Sequence, residues 1–207
     1  MQITTGLVRA AALGLALAFI AVTAGAQQPP PQVRIRGDIV SLTGPDLKVK
    51  TREGQEVTIK LADNVGVSTV RKVALEDIKP GTFVGIAATP QRDGRLMAQE
   101  VLLFPEAMRG TGEGHRPWDL TPDSTMTNAT VEASVMEAKN GVLQLKYKDG
   151  EKNIVVSPET PLVTIAPGDK SLLKPGAYVF VAATKGPDGT LNAARITAEK
   201  DGVKPPM

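Results

Sequence analysis

The sequence predicts an all-β fold, two tandem small five-stranded antiparallel barrels, and three observations lead there. Apolar residues recur with a period of two. Val33, Ile35 and Ile39 alternate with Arg34, Arg36 and Asp38, Leu47 and Val49 with Lys48 and Lys50, and Val57, Ile59 and Leu61 with Thr58 and Lys60. That alternation belongs to strands with one buried face. Turn residues punctuate the strands, at Gly44-Pro45, Glu53-Gly54 and Asp93-Gly94, where Gly and Pro meet backbone requirements other residues resist. The chain also repeats itself. Leu47 to Gly54 (LKVKTREG) returns 96 residues later as Leu143 to Gly150 (LQLKYKDG). Lys79-Pro80-Gly81, Val84 to Thr89 and Asp93-Gly94 return 95 residues later, beginning at Lys174, Val179 and Asp188. A repeat of that length is a domain-sized unit, not a solenoid repeat.

Taken in order, residues 1–26 read as a cleavable signal peptide. Arg9 supplies the positive start, Ala10 to Val22 a run of 13 apolar residues, and Ala24-Gly25-Ala26 the small residues of a cleavage site. Such a run is too short to span a bilayer. Residues 27–32 (QQPPPQ) form a Pro/Gln-rich spacer. Residues 33–104 are expected to be the first barrel, 105–128 an inter-repeat segment, 129–199 the second barrel and 200–207 a C-terminal tail. Ala74 to Ile78 is a short helical turn, stopped at Lys79-Pro80-Gly81, and Ser171 to Leu173 plays the same part before Lys174-Pro175-Gly176. Five short strands with this turn before the fourth suggest an OB-like barrel, or alternatively an SH3-like one; closure removes exposed strand edges.

Composition excludes several function classes. Without Cys there is no disulfide framework, thiol nucleophile or thiolate metal site. A net charge of +2 without a basic stripe, and aromatics at 3%, argue against nucleic-acid binding. After the leader no stretch of 18 apolar residues follows, so no transmembrane segment is expected in the mature chain. Together these features point to the periplasm.

Each repeat resembles a small domain of unknown function found in exported bacterial proteins, often in tandem. The features that carry the resemblance are Ile78-Lys-Pro-Gly81 with Asp93-Gly-Arg-Leu-Met-Ala98, then Leu173-Lys-Pro-Gly176 with Asp188-Gly-Thr-Leu-Asn-Ala193. They are structural motifs, so the resemblance implies a fold and no activity.

Unusual chemistry concentrates in the inter-repeat segment, which holds the only His (His115), the only Trp (Trp118), Met108 and Met126. His115 is the sole imidazole base, no Gly-x-Ser-x-Gly surrounds any Ser, and Gly110 to Gly114 lacks the Lys-Ser/Thr of a phosphate loop. No enzyme is therefore expected. Trp118 can plug the groove between two barrels, with His115, Arg116 and Asp119 beside it as the ligand or interface set. Imidazole with thioether sulfur suits Cu(I), which makes His115, Met126 and Met108 a candidate metal set. In residue types this segment resembles the site of periplasmic copper chaperones of cation-efflux systems, with Asn128 where those proteins carry a second Met. The expected function is a non-enzymatic periplasmic binding or scaffold protein without a cofactor, its partner a periplasmic protein or small ligand. The alternative is a copper-handling accessory of metal transport. N-terminal sequencing of the protein recovered from a periplasmic fraction should begin at Gln27; an intact Met1 would refute the cleaved leader.

Overall fold

A computed structural model describes residues 32–137 and 140–206. The expected signal peptide and all of the spacer but Gln32 lie outside the described residues. Among the described residues there are twelve strands: β1 (Gln32–Thr43), β2 (Asp46–Thr51), β3 (Glu56–Lys72), β4 (Phe83–Pro90), β5 (Leu96–Leu103), β6 (Gly114–Pro117), β7 (Thr125–Glu137), β8 (Asn140–Tyr147), β9 (Gly150–Val156), β10 (Leu162–Pro167), β11 (Tyr178–Lys185) and β12 (Leu191–Ala198). The all-β expectation holds. The helical candidates are single 3₁₀ turns, Leu75–Asp77 and Lys170–Leu172, each followed by its Lys-Pro-Gly stop. A carboxylate fastens each turn: Asp77 accepts from the Ala74 N–H at 2.9 Å, and Asp169 from the Ser171 N–H at 2.8 Å. No helix among the described residues is long and apolar enough to cross a membrane.

The strand ladders correct the expectation of one barrel per repeat at 33–104 and 129–199. The first closed circuit runs β1-β2-β3-β12-β11 and back to β1. The second runs β7-β8-β9-β5-β4 and back to β7. Each circuit therefore takes three strands from one repeat and two from the other. In both, the third and last strands run parallel, Ile59 beside Leu191 and Ile154 beside Leu96, pairs that correspond under the 95-residue offset. Five strands closing with one parallel contact fit the OB-like expectation.

The exchange follows from β3. The third strand of the first repeat does not stop where a five-stranded barrel would turn. It runs for 17 residues, roughly 55 Å at strand rise, and carries the chain out of its own barrel. In the second repeat the same path is broken into β9 and β10 by Ser157 to Pro161, with a proline at each of Pro158 and Pro161. The far half of β3 pairs antiparallel with β10, Val70 opposite Ile165, Lys72 opposite Val163 and Ser68 opposite Pro167. Val70 and Ile165 are 95 residues apart, the repeat offset, so this pair sits on a local two-fold axis that relates the two repeats.

Three apolar clusters follow from this topology. Leu47, Val49, Ile59, Val179, Val181 and Ile196 fill the first barrel, and Val84, Ile86, Val101, Leu143, Leu145 and Ile154 the second. Val70, Leu102 and Val163 fill the axis between them, with Phe104, Ile165 and Val203 packed alongside. In the C-terminal tail, Val203 packs on the axis cluster. Gly37 permits a close crossing: a Cβ there would lie 2.1 Å from the Lys50 carbonyl oxygen.

Because neither barrel is complete without strands from both repeats, the two should unfold together. Leu47→Ala and Leu143→Ala, each at a fully buried position, should cost about 2–5 kcal/mol and shift the same single denaturant transition. Circular dichroism and Trp118 fluorescence should coincide throughout; two separable transitions would contradict the interlocked topology.

Candidate functional site

The inter-repeat segment is not a loose connector. After a 3₁₀ turn at Glu106–Met108 it forms β6, which pairs antiparallel with the start of β7, Arg116 opposite Met126 and His115 opposite Thr127. The expected boundary at residue 129 moves accordingly, since β7 begins at Thr125. Past β6 the chain folds back on itself, with the Trp118 N–H donating to the Ser124 carbonyl at 2.8 Å. Thr121 and Gln99 of β5 hydrogen-bond at 2.8 Å. These contacts fix the segment to the second barrel.

Three arginines fix it to the first. Arg36 and Arg34 donate to the Asp119 carboxylate at 2.9 and 3.4 Å. Arg52 donates to the carbonyls of Asp119 and Leu120 at 2.6 and 2.7 Å. The Arg34 guanidinium lies 3.8 Å from the Trp118 ring centroid, with Arg116 at 5.5 Å and Arg36 at 5.9 Å, so one indole is faced by three cations. Burial works to raise the Asp119 carboxyl; the hydrogen bond and charge of Arg36, then Arg34, outweigh it and hold the group below the ordinary Asp range. The alternation puts Arg34 and Arg36 on the strand face away from the barrel core, yet Arg36 is only 4% exposed. The outside of one barrel becomes an inside where it meets the other.

Between the barrels lies a cleft of about 550 Å³. Gly85, Leu102, Met126 and Asn128 line it from the second barrel, Phe180, Ala182, Arg195 and Thr197 from the first, Met108, Arg116 and Trp118 from the segment, and Ile165 from the axis. The two-fold relation explains its asymmetry. Arg36 pairs with Phe180 on β1 and β11, and Asn128 with Gly85 on β7 and β4; these are corresponding ladder positions. One barrel presents a phenyl ring where the other has bare backbone. A Cβ at Gly85 would lie 2.9 Å from Asn128 Oδ1 and 3.0 Å from Phe104 Cε2, so that backbone is covered by Phe104.

Of the predicted interface set, Trp118 and Arg116 line this cleft, and Asp119 fastens the Trp118 turn to Arg34 and Arg36. His115 does not join them. Side chains alternate across a strand, and His115 shares its face with Thr127, whose hydroxyl is 2.8 Å from Nδ1, and with Tyr147, stacked at 6.5 Å. Met126 is register partner to Arg116 on the opposite face. The candidate copper set is therefore split. Met108 and Met126 line the same cleft as Arg116 and Arg195, and two thioethers in a cleft with two cationic residues make a poor cation site. Burial, then the charges of Lys152 and Arg116, lowers the His115 pKa below the ordinary range.

Sequence reasoning passed over Glu100. It sits on β5 at a register shift in the β4–β5 ladder and is 1% exposed, and neither carboxylate oxygen has a hydrogen-bond partner. Burial pushes its pKa up to about 7, with the Arg36 charge opposing the shift. Trp118 Nε1 and Asn128 Oδ1 are also buried without a partner. Arg195 is the repeat counterpart of Glu100, 95 residues on, so a duplicated position has become an acid in one copy and a base in the other. No pattern in β5 marks Glu100 as buried, because the register shift turns it away from the core face that Ala98 and Val101 share, and its cover comes from outside its own barrel. Among the described residues no three His, Asp or Glu side chains gather as a metal site.

No family model matches the sequence, and no match was found among curated proteins or solved structures.

Glu100 sets a pH dependence. The folded protein keeps a proton that the unfolded chain, with an ordinary glutamate pKa of 4.5, releases earlier. Between about pH 4.5 and 7 the native state binds more protons, so stability falls as pH rises through that window, by about 3 kcal/mol at most. His115 acts in the opposite sense, losing stability as pH falls. Comparing the protein with Glu100→Gln cancels that contribution: the variant should gain stability relative to the parent from pH 4.5 to 7 and hold the gain above it. Parallel urea-midpoint curves for the two proteins would refute a titrating Glu100.

Proposed function

We propose that this protein is a non-enzymatic, periplasmic binding module whose docking site is the cleft between its two OB-like barrels, centred on Trp118. The observation that carries the reading is the cleft itself. It has the size of a small-molecule site and a mostly apolar lining with a few polar groups, and it is walled by both barrels and by the segment that joins them. Three buried polar groups without partners accompany it at the barrel interface: the Glu100 carboxylate, the Trp118 indole N–H and Asn128 Oδ1. Unsatisfied groups cost stability and call for an explanation where they cluster. A fold that only had to join two barrels would have little reason to keep them.

The non-enzymatic reading is supported by the placement of His115, the only imidazole, which is engaged with Thr127 on the face away from the cleft. The periplasmic reading rests on the leader at residues 1–26. The interlocked fold supports a binding role, because the cleft walls are tied by strand ladders and should not swing apart.

A neutral solvatochromic naphthalene dye, 6-propionyl-2-dimethylaminonaphthalene, tests the site. It should bind saturably with a blue-shifted emission. Ala182→Phe, at an exposed position on the cleft wall, should weaken binding about tenfold or more without lowering the melting temperature. Equal dye affinity in the variant would place binding elsewhere and remove the cleft as the docking site.

A further inference from the structure

The cleft has a charge character that the anchoring contacts do not explain. Its lining contains Arg116 and Arg195 and no Asp or Glu. The arginines beside it are answered by carboxylates, Arg34 and Arg36 by Asp119 and Arg52 by Glu53 at 2.6 Å. Arg116 donates to the neutral carbonyl of Gly112 at 2.7 Å. Burial, and then the like charge of Arg34, pushes its pKa below the ordinary arginine range. Arg195 is exposed, and no carboxylate among the described residues pairs with its side chain. Two arginines therefore line one cleft with no carboxylate opposite them, beside the apolar surface of Leu102, Phe104, Ile165 and Phe180.

We infer that the cleft binds an amphipathic carboxylate, an alkyl or arylalkyl acid, with its hydrocarbon body on that apolar surface and its carboxylate at Arg116 and Arg195. The inference rests on the cleft being the docking site. The guanidinium fork matches a carboxylate in two parallel hydrogen bonds. A bound anion also relieves the repulsion that Arg116 bears from Arg34. The body gains by leaving water, in proportion to its apolar area. A neutral amphiphile of the same length gains only that last contribution, and a cationic one meets like charge. The carboxylate is thus selected by the arginines and not by the apolar surface.

The test is displacement of the naphthalene dye by decanoate, decan-1-ol and decylammonium at pH 7.5, each below its aggregation concentration. Decanoate should displace the dye about tenfold more tightly than decan-1-ol, with decylammonium weakest. Arg116→Gln and Arg195→Gln should each reduce that preference while leaving decan-1-ol unchanged. Should Arg116→Gln fail to fold, Arg195→Gln at its exposed position decides alone. Equal displacement by acid and alcohol would overturn the carboxylate inference while leaving the cleft as a binding site. Failure of all three to displace a dye that Ala182→Phe does weaken would also overturn it. A dye insensitive to Ala182→Phe would remove the cleft, and the inference with it.

Discussion

The pairing of β3 with β10 around Val70 and Ile165 is the constraint on which the rest of the structure depends. It lies on the local two-fold axis between the repeats. From it the chain must deliver β4 and β5 to the far barrel and receive β11 and β12 in return. A long strand that runs on, where a shorter one would end, is enough to convert a tandem arrangement into an interlocked one. Ser68 to Lys72 of the crossing lie in the ladder with β10, so that part of the exchange keeps its backbone groups paired. The same pairing sets the separation of the barrels and so the width of the cleft.

The inter-repeat segment works with that constraint. By themselves the two barrels would present outward faces carrying Arg34, Arg36 and Arg195 on one side and Glu100 on the other, and such charges are normally solvated. The Trp118 turn inserts between them, gives Arg34 and Arg36 the Asp119 carboxylate, and stacks its indole beneath the guanidiniums. Charges buried with a partner are tolerated where lone charges are not. Glu100 and Arg116 are the exceptions, one a carboxylate that holds its proton to about pH 7, the other a guanidinium with the Gly112 carbonyl and the Trp118 ring beside it and no carboxylate. Polar groups left uncompensated at the centre of an otherwise satisfied interface are the physical reason for reading the cleft as a place where something binds.

Duplication explains how such a site could arise. Corresponding positions have diverged in pairs: Gly85 against Phe180, Asn128 against Arg36, Glu100 against Arg195. The barrel interiors kept their pattern, Leu47 and Leu143 both fully buried. A symmetric pair of faces would give two equivalent half-sites. Divergence on the facing sides gives one cleft with an apolar part and a cationic part.

The strands, their apolar faces and the turns are legible in the amino-acid sequence, because alternation and Gly or Pro punctuation act over a few residues. The sequence also shows the duplication, for the same reason, and places Trp118 in the segment between the barrels. Which strands close which barrel is settled by the three-dimensional fold, since a strand's pattern says that it pairs and not with whom. The burial of Glu100 and Arg36 was equally out of reach, since both lie on outward strand faces that a single barrel would expose to water. The fold also separated His115 from Met126. The two are eleven residues apart in the chain, and their faces are fixed by the register of β6 against β7, which is a long-range fact that local spacing cannot express.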